Sequence, residues 1–199
     1  MNLFKYLERE EFAETWVNGG IVPISLASTY RAVERNGNST PDEVLQQKFS
    51  GYGMPQLLQS GIVGVAPDFM GTATLHNVTF AGHPTLSRPL TVNGSFRRAE
   101  EDGLVDCHAT VLDRDLMRKL GKSCAVEVTK VEGLWDNFDE QIGHKSIRRP
   151  IRYVRGMERG HFAKSRCDSW QHEFRAVWVF PNCATVEVSV PAGFCRRVM

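Results

Sequence analysis

Hydrophobic and polar positions alternate most regularly in the second half of the chain. From Val105 to Val111 every second side chain is apolar, namely Val105, Cys107, Ala109 and Val111, and the residues between them are Asp106, His108 and Thr110. A two-residue period predicts a β-strand with one buried face. The same reasoning predicts strands over Ser123–Thr129, Ile151–Val154, Phe174–Phe180 and Ala184–Val190. The last two are joined only by Pro181-Asn-Cys183, which predicts a β-hairpin.

Helical periodicity is found in fewer places. Leu7–Val17 is followed by Asn18-Gly19-Gly20, a typical helix end, and Asp113–Leu120 begins with acidic residues and stops at Gly121. Glu132–Gln141 predicts a third helix, and Thr40-Pro-Asp-Glu43 has the pattern of a helix N-terminus. Ile21–Leu26 is strand-like, although Pro23 limits it to an edge, a strand start or a bulge.

These elements predict an α+β fold, because strands outnumber helices and the two do not alternate steadily. We expect a single domain over residues 1–199, with a mixed, largely antiparallel sheet and a few short helices. Between Ser50 and Ser95 the chain is rich in glycine and proline. This region, about 50–95, predicts a loop-rich insertion with short strands at Gly61–Val65 and Thr72–Leu75.

Composition narrows the choice of partners. The chain is 42% hydrophobic and 24% charged with a formal net charge of +1, so no global charge attracts nucleic acid or membrane. The first ten residues are too charged for a signal peptide, and no apolar run is long enough for a bilayer. These features predict a cytoplasmic protein without membrane contact. The oligomeric state is left open.

Cysteine and histidine spacing predicts no metal site and no disulfide framework. Five cysteines are widely spaced with no Cys-x-x-Cys pair, and six histidines include no His-x-x-x-His pair. Neither a Gly-x-Gly-x-x-Gly sequence after a strand nor a P-loop sequence occurs, so a Rossmann or P-loop nucleotide site is not supported.

Polar residues stand at the boundaries of several predicted elements. Glu173 starts a buried strand, with Gln171 and Arg175 two residues to either side. Lys5 and Tyr6 precede the first helix, and Tyr30 and Arg31 follow the first strand. Side chains at element ends commonly line a cleft, so we expect these groups to converge. The alternative interpretation of Glu173 is an ion pair with Arg175 at the edge of the sheet, and the two interpretations have equal weight.

Several motifs, taken in their order along the chain, resemble those of known groups of proteins. Leu3-Phe-Lys-Tyr-Leu7, Tyr30-Arg31-x-x-Glu34, Asp102–Cys107 and Lys164…Trp170-x-x-Glu173-Phe-Arg175 resemble a broad group of uncharacterised bacterial proteins. That group opens on a Leu-Tyr-Lys-Tyr-like start and closes on Trp-x-x-Glu-x-x-Arg. The layout resembles, more distantly, the ADP-ribosyltransferase fold of bacterial toxins, whose Gln/Glu-x-Glu motif Gln171-His-Glu173 matches. Much of that group has Asn-Asp-Pro after the second predicted element. This chain has Tyr30-Arg31-Ala32 at that position instead.

The resemblance implies a transferase that takes NAD as its substrate and needs no metal. Glu173 would stabilise the oxocarbenium charge at the ribose, and Gln171 would face the acceptor. Arg31 would bind the diphosphate, while Tyr30 or Tyr6, with Lys5 nearby, would contact the cofactor. The acceptor would be a macromolecule, protein or nucleic acid, in a toxin or phage–bacterium conflict.

Two further patterns have competing interpretations. Arg148, Arg149 and Arg152 belong to a basic stretch that would bind the acceptor, or else form a solvated, ion-paired face. Asp106 and His108 share a strand face, as an acid–base pair or as a solvated face. The alternative to a transferase is a non-enzymatic binding or inhibitory module whose working surface is the region Ser50–Ser95. Glu173 locked onto Arg175 with no cleft beside it would favour that alternative.

Overall fold

The computed structural model describes residues 1–31, 45–60, 62–63, 71–155 and 158–199, and only the backbone of residues 30, 31, 45, 46, 71 and 100. The helices are α1 (Glu10–Asn18), α2 (Met54–Gln59), α3 (Arg114–Lys119) and α4 (Val131–Ile142), with 3-10 helices at Ala27–Arg31 and Arg166–Gln171. The strands are β1 (Leu3–Leu7), β2 (Gly20–Leu26), β3 (Leu45–Tyr52), β4 (Gly71–Phe80), β5 (Leu90–Glu100), β6 (Leu104–Ala109), β7 (Cys124–Val128), β8 (Ile147–Pro150), β9 (Arg152–Val154), β10 (Ala163–Ser165), β11 (Glu173–Trp178), β12 (Val186–Val190) and β13 (Cys195–Arg197).

The main sheet is organised around β6. One edge of β6 pairs with β11 along its whole length, from Leu104 opposite Trp178 to Ala109 opposite Glu173. The other edge is shared by β2 at the start of β6 and β1 at its end. β12 extends the sheet beyond β2, β7 and β13 extend it beyond β1, and β8 extends it beyond β11, all antiparallel. Only β9 and β10 are parallel among the described strands, so the predicted α+β class with a mixed, largely antiparallel sheet is confirmed.

Outside the region Ser50–Ser95, the described helices and strands that local patterns predicted agree with the structure within a few residues, with two exceptions at the N-terminus. The first helix begins at Glu10, and Leu3–Leu7 before it is a strand that the sequence did not predict. The predicted helix start Thr40–Glu43 lies outside the described residues. Within the residues that the structure describes, no helix is long and apolar enough to cross a membrane.

The predicted hairpin between the two last long strands is wrong. β11 pairs with β6 and β8, whereas β12 pairs with β2 on the far side of the sheet. The connection from Val179 to Thr185 is too long for a two-residue turn, so it does not fix a local register. Burial of both faces of β11 decides its position instead.

A second sheet replaces most of the predicted loop-rich region. β5 pairs antiparallel with β3 on one side and β4 on the other, and Thr72–Leu75 is only part of the longer β4. α2 covers one face, where Met54, Leu57, Val92 and Phe96 are buried. Of the other predicted strand, Gly61–Val65, Ile62 and Val63 pack against this small core, and the rest lies outside the described residues.

The main core lies between the main sheet and the helices α1 and α4. Apolar residues three or four apart give each helix a buried side, Ala13 and Trp16 on α1 and Leu134, Trp135 and Phe138 on α4. Gly143, with φ of 77°, ends α4 in a left-handed conformation that favours glycine. The buried aromatic side chains thus fix both helices to one face of β6 and β11.

Asp139 connects α4 to the sheet. Its carboxylate accepts hydrogen bonds from Trp178 Nε1 at 2.7 Å, Ser146 N at 2.9 Å and Arg148 Nη2 at 2.7 Å. Burial raises the pKa of Asp139, but these hydrogen bonds outweigh burial and hold the pKa below its ordinary value. This one carboxylate therefore holds α4, β8 and β11 together.

We expect Asp139→Ala to lower the free energy of unfolding by about 3 kcal/mol, because it leaves buried donors without an acceptor. Asp136→Ala is the matched control: Asp136 binds the same Arg148 but its side chain is 61% exposed, so we expect a loss of about 1 kcal/mol or less. Urea unfolding followed by tryptophan fluorescence measures both. Equal losses in the two variants would contradict the role of Asp139.

Candidate functional site

Glu173 begins β11 inside a buried ion network. One carboxylate oxygen accepts from Arg175 Nε at 2.5 Å, and the other lies 2.7 Å from Lys164 Nζ. Lys164 also donates to Gln171 Oε1 at 2.9 Å. The structure therefore brings Gln171, Glu173 and Arg175 together, through a lysine on β10 that the sequence did not single out as a site residue.

Gln171 does not extend the strand as predicted. It is the last residue of the 3-10 helix Arg166–Gln171, and His172 has a φ of 48° between that helix and β11. The shared face of Gln171 and Glu173 thus comes from a left-handed turn and a common lysine, not from strand alternation.

Backbone groups complete the network. Arg175 Nη1 donates to the carbonyl of His161 at 3.0 Å, and the amide of Glu173 donates to the hydroxyl of Tyr153 at 3.0 Å. Burial raises the pKa of Tyr153 to about 12, so this hydroxyl stays protonated at neutral pH. The network therefore fixes β9, β10 and the segment around His161 to the start of β11.

The electrostatics keep the Glu173 carboxylate ionised. Burial raises its pKa, but the adjacent charges of Arg175 and Lys164 outweigh burial and hold the pKa well below its ordinary value. Both oxygens are engaged by cations, and Glu173 lines neither of the two cavities described below. The ion pair with Arg175 that was the alternative prediction is present, buried within the sheet.

Lys5 and Tyr6 lie on opposite faces of the sheet. Lys5 Nζ lies 2.5 Å from Asp106 Oδ1 on the face covered by α1 and α4. Tyr6 is on the face of Glu173, where its hydroxyl donates to the carbonyl of Val111 and accepts from the amide of Asp113, both at 2.8 Å. A single cleft cannot be lined by both side chains, because successive strand residues alternate between faces.

Asp106 and His108 form a buried cluster, so their interpretation as a solvated face is wrong. Asp106 Oδ2 lies 2.7 Å from His108 Nε2 and accepts from Trp135 Nε1 at 3.2 Å. Burial raises the pKa of Asp106, but His108 and Lys5 outweigh burial and hold the pKa well below its ordinary value. The strand alternation was correct, but the second face is covered by helices rather than water.

The position of Tyr30 and Arg31 relative to Glu173 is known only from the backbone. Their 3-10 helix begins where Ala27 N donates to the carbonyl of Gly103 at 2.8 Å, beside the end of β11 that carries Trp178. Glu173 is at the other end of this 6-residue strand, about 17 Å away at the usual rise. The side chains of both residues lie outside the described part of the chain, so the predicted cleft between Arg31 and Glu173 stays a prediction.

The arginine stretch divides between the two faces. Arg148 faces α4 and binds three acids, Asp139 together with Glu132 and Asp136, each of these two at 2.9 Å. Arg149 faces the other way, with its guanidinium 4.1 Å from the ring centre of Phe162. Arg152 donates to Glu158 at 3.0 Å. Arg148 is therefore structural, and the three residues do not form one basic surface.

A cavity of about 500 Å³ lies on the Arg149 side, between β8, residues 158–163 and the base of the second sheet. We call it the inter-sheet cavity. Its apolar lining is Ile147, Pro150, Phe162, Ala163 and Val179, and its charged lining is Lys48, Arg149, Arg152, Arg159, Glu101 and Glu158. Lys48 and Arg149 form no ion pair with any residue that the structure describes. A smaller cavity of about 260 Å³ lies beside Trp170 and Lys119.

Residues 47 and 159 hold the wall of the inter-sheet cavity in place. Gln47 N donates to the carbonyl of Arg159 at 3.0 Å, and Arg159 N donates back to the carbonyl of Gln47 at 3.3 Å. This isolated bridge attaches β3 to the segment that covers β8. Lys48 is therefore presented to the cavity by a backbone contact between positions far apart in sequence, for which no local sequence signal exists.

Comparisons with known proteins give no assignment. No family model, no curated protein and no solved structure matches the chain. Among the described residues, no group of three or more histidine, cysteine, aspartate or glutamate side chains is placed to hold a metal ion.

We expect the ion network to make stability depend on pH below about 5. The folded-state pKa of Glu173 lies below the unfolded value, so its contribution is complete above the unfolded pKa of about 4.3 and is lost as pH falls further. Glu173→Gln should lower the free energy of unfolding by about 3–5 kcal/mol at pH 7. In urea unfolding, the difference in the free energy of unfolding between Glu173→Gln and wild type should become smaller as the pH falls from 5 to 3.

The exposed Glu187 has no ion pair with any described residue, so Glu187→Gln serves as the control, with an expected change of about 0.5 kcal/mol or less. A difference between Glu173→Gln and wild type that stays constant with pH would show that the network does not hold an ionised carboxylate.

Proposed function

We propose that the protein is a non-enzymatic binding module that takes an anionic ligand in the inter-sheet cavity. The observation that carries this proposal is the pair Lys48 and Arg149, two exposed cations that line the same cavity without a carboxylate partner among the described residues. Unpaired cations beside a concave surface attract anions from solution.

The composition of the cavity supports this choice. Four lysine or arginine side chains face two glutamates, and one of these, Glu158, is already paired with Arg152. The volume lies within the range of small-molecule sites. The guanidinium of Arg149 lies 4.1 Å from the ring centre of Phe162 without a carboxylate partner among the described residues, and a planar guanidinium can bind a phosphate or carboxylate through two hydrogen bonds. The ligand is thus an anion with an apolar or aromatic part.

The state of Glu173 favours binding over catalysis. A carboxylate that stabilises an oxocarbenium ion must approach the ribose, whereas both oxygens of Glu173 are held by Lys164 and Arg175 under the surface. Freeing the carboxylate would leave buried charges unpaired, at a cost of several kcal/mol. The ion pair between Glu173 and Arg175 is the one expected of a binding module, and Glu173 itself lines neither of the two cavities.

A NAD-dependent ADP-ribosyltransferase is the second candidate. The observation in its favour is that Gln171 and Glu173 converge on Lys164, since that class needs both side chains near one another. This candidate would also imply a macromolecular acceptor and a role in bacterial conflict, which come only from the resemblance.

Release of nicotinamide from NAD separates the two candidates. We expect wild-type protein to release nicotinamide no faster than buffer, because Glu173 is not free to act. Chromatographic quantification over hours, with Glu173→Gln as the comparison, measures the rate. Release by wild type that is lost in Glu173→Gln, with the variant shown by its tryptophan fluorescence to be folded, would establish the transferase and overturn the binding module.

Binding of ADP tests the cavity itself, because ADP combines a diphosphate with an aromatic ring. We expect isothermal titration calorimetry to detect ADP binding to wild type. Arg149→Gln and Lys48→Gln should each weaken it about 10-fold or more, the effect of one charge-assisted hydrogen bond. Arg166→Gln is the matched control, since Arg166 is exposed and does not line the cavity.

Equal weakening by Arg166→Gln would mean that only overall charge matters, and unchanged affinity in both cavity variants would place the ligand elsewhere. Either result would overturn the cavity assignment. All three side chains are exposed, so we expect the variants to keep the wild-type unfolding curve.

A further inference from the structure

We propose that the anion taken by the inter-sheet cavity is part of a single-stranded nucleic acid whose chain continues across the outer face of the second sheet. This inference rests on the proposed function and names its ligand. The outer face is the side of the second sheet opposite α2. It consists of Lys48, Ser50 and Tyr52 on β3, Thr91, Asn93, Ser95 and Arg97 on β5, and Thr72, Thr74 and Thr79 on β4.

The residues named for the outer face include two cations, Lys48 and Arg97, and no acidic side chain. Lys48 and Arg97 stand directly opposite each other on neighbouring strands, and neither forms an ion pair with a described residue. Like charges in that position destabilise a sheet. Surface residues whose arrangement lowers the stability of the fold are typical of binding sites. An anion bound between Lys48 and Arg97 would relieve the repulsion between their charges.

Tyr52 supplies an aromatic platform at the other end of β3. Its side chain is 66% exposed. Gly51 and Gly53, with φ of 79° and 80°, lie on either side, and a Cβ at Gly51 would lie 2.3 Å from the carbonyl oxygen of Asn93. The backbone at Tyr52 is thus fixed by glycines, and the ring is directed away from the core. Exposed tyrosines on a sheet stack with unpaired bases.

Hydroxyl groups fill the space between the cations and the tyrosine. Ser50 and Ser95 are hydrogen-bonded across β3 and β5 at 2.7 Å, and Thr74 is the next residue in the same row. Thr79 and Thr91 form a second pair at 3.0 Å, on the other side of Tyr52 from the cations. Serine and threonine hydroxyls bind the phosphates and sugars of nucleic acids.

Lys48 makes the outer face continuous with the cavity. It belongs to the outer face by strand register and lines the inter-sheet cavity together with Arg149. A single-stranded nucleic acid fits both the outer face and the cavity. One base would stack on Tyr52, the backbone phosphates would lie along Lys48 and Arg97, and a further phosphate would bind Arg149. A duplex does not fit this scheme, because its bases are already stacked.

The test is binding of a fluorescent oligothymidylate of about 20 nucleotides, followed by fluorescence anisotropy over a salt series. We expect Tyr52→Ala to weaken binding about 5- to 100-fold, the effect of losing one stacked base, and Tyr52→Phe to retain it. Arg97→Gln should reduce the slope of log K against log salt by about 0.7, the effect of one phosphate contact. A duplex of equal length should bind more weakly, and polyglutamate should not compete.

ADP binding to the same variants separates this inference from the proposed function. The inference predicts that Tyr52→Ala and Arg97→Gln leave ADP affinity unchanged, while Arg149→Gln weakens both ADP and the oligonucleotide. ADP binding without oligonucleotide binding, or oligonucleotide binding unaffected at Tyr52 and Arg97, overturns the inference and leaves the proposed function standing. Equal competition by polyglutamate also overturns it, since it assigns the surface to acidic peptides. If wild-type protein binds neither ADP nor the oligonucleotide, both proposals are overturned.

Discussion

Glu173 lies between Lys164 and Arg175 at the start of β11, where water is excluded and each charge depends on the others. A buried ion network is stable only while every member keeps its partner. The residues that contact this network include His161 and Tyr153, so it also fixes the strands and the segment that cover β8. The inter-sheet cavity has a defined wall because this network holds residues 158–163 against the sheet. Glu173, which the sequence predicted to be catalytic, thus helps to position the wall of the cavity that we propose as the binding site.

The same logic divides the charged residues into two groups. Lys5, Asp106, Arg148 and Asp139 are engaged by partners within the fold and stabilise the packing of α1 and α4 on the sheet. Lys48, Arg97 and Arg149 have no acidic partner among the described residues and lie on surfaces that are continuous with one another. The charges that we propose to bind the ligand are therefore those without an acidic partner among the described residues, not those most concentrated in the sequence.

Local patterns predicted the elements whose formation depends on their own residues. Alternation revealed β6, and the spacing of Leu134, Trp135 and Phe138 revealed α4, because burial of one face follows from a short period. The pattern did not reveal that the Asp106 face is covered, since alternation distinguishes two faces but not what packs on each. The partners of β11 and the second sheet were missed because both are set by contacts far apart in sequence. Glycines at positions 51 and 94, which suggested loops, permit a close approach of two strands. For the candidate site, the sequence placed Gln171, Glu173 and Arg175 on one face, but it did not single out Lys164, which contacts both Gln171 and Glu173. Lys48 and Arg149 line one cavity because of the bridge between residues 47 and 159, which no local pattern predicts.

The central claim is that the carboxylate of Glu173 is permanently ionised and engaged. The most direct measurement is carbon-13 NMR of the side-chain carboxyl of Glu173, assigned by its loss in Glu173→Gln and followed from pH 7 downward. The account predicts that this resonance does not titrate at the ordinary glutamate value of 4.5 and remains that of a carboxylate until the protein begins to unfold in acid. Titration at or above 4.5 in the folded protein would show a carboxylate free of Lys164 and Arg175, and it would contradict the account.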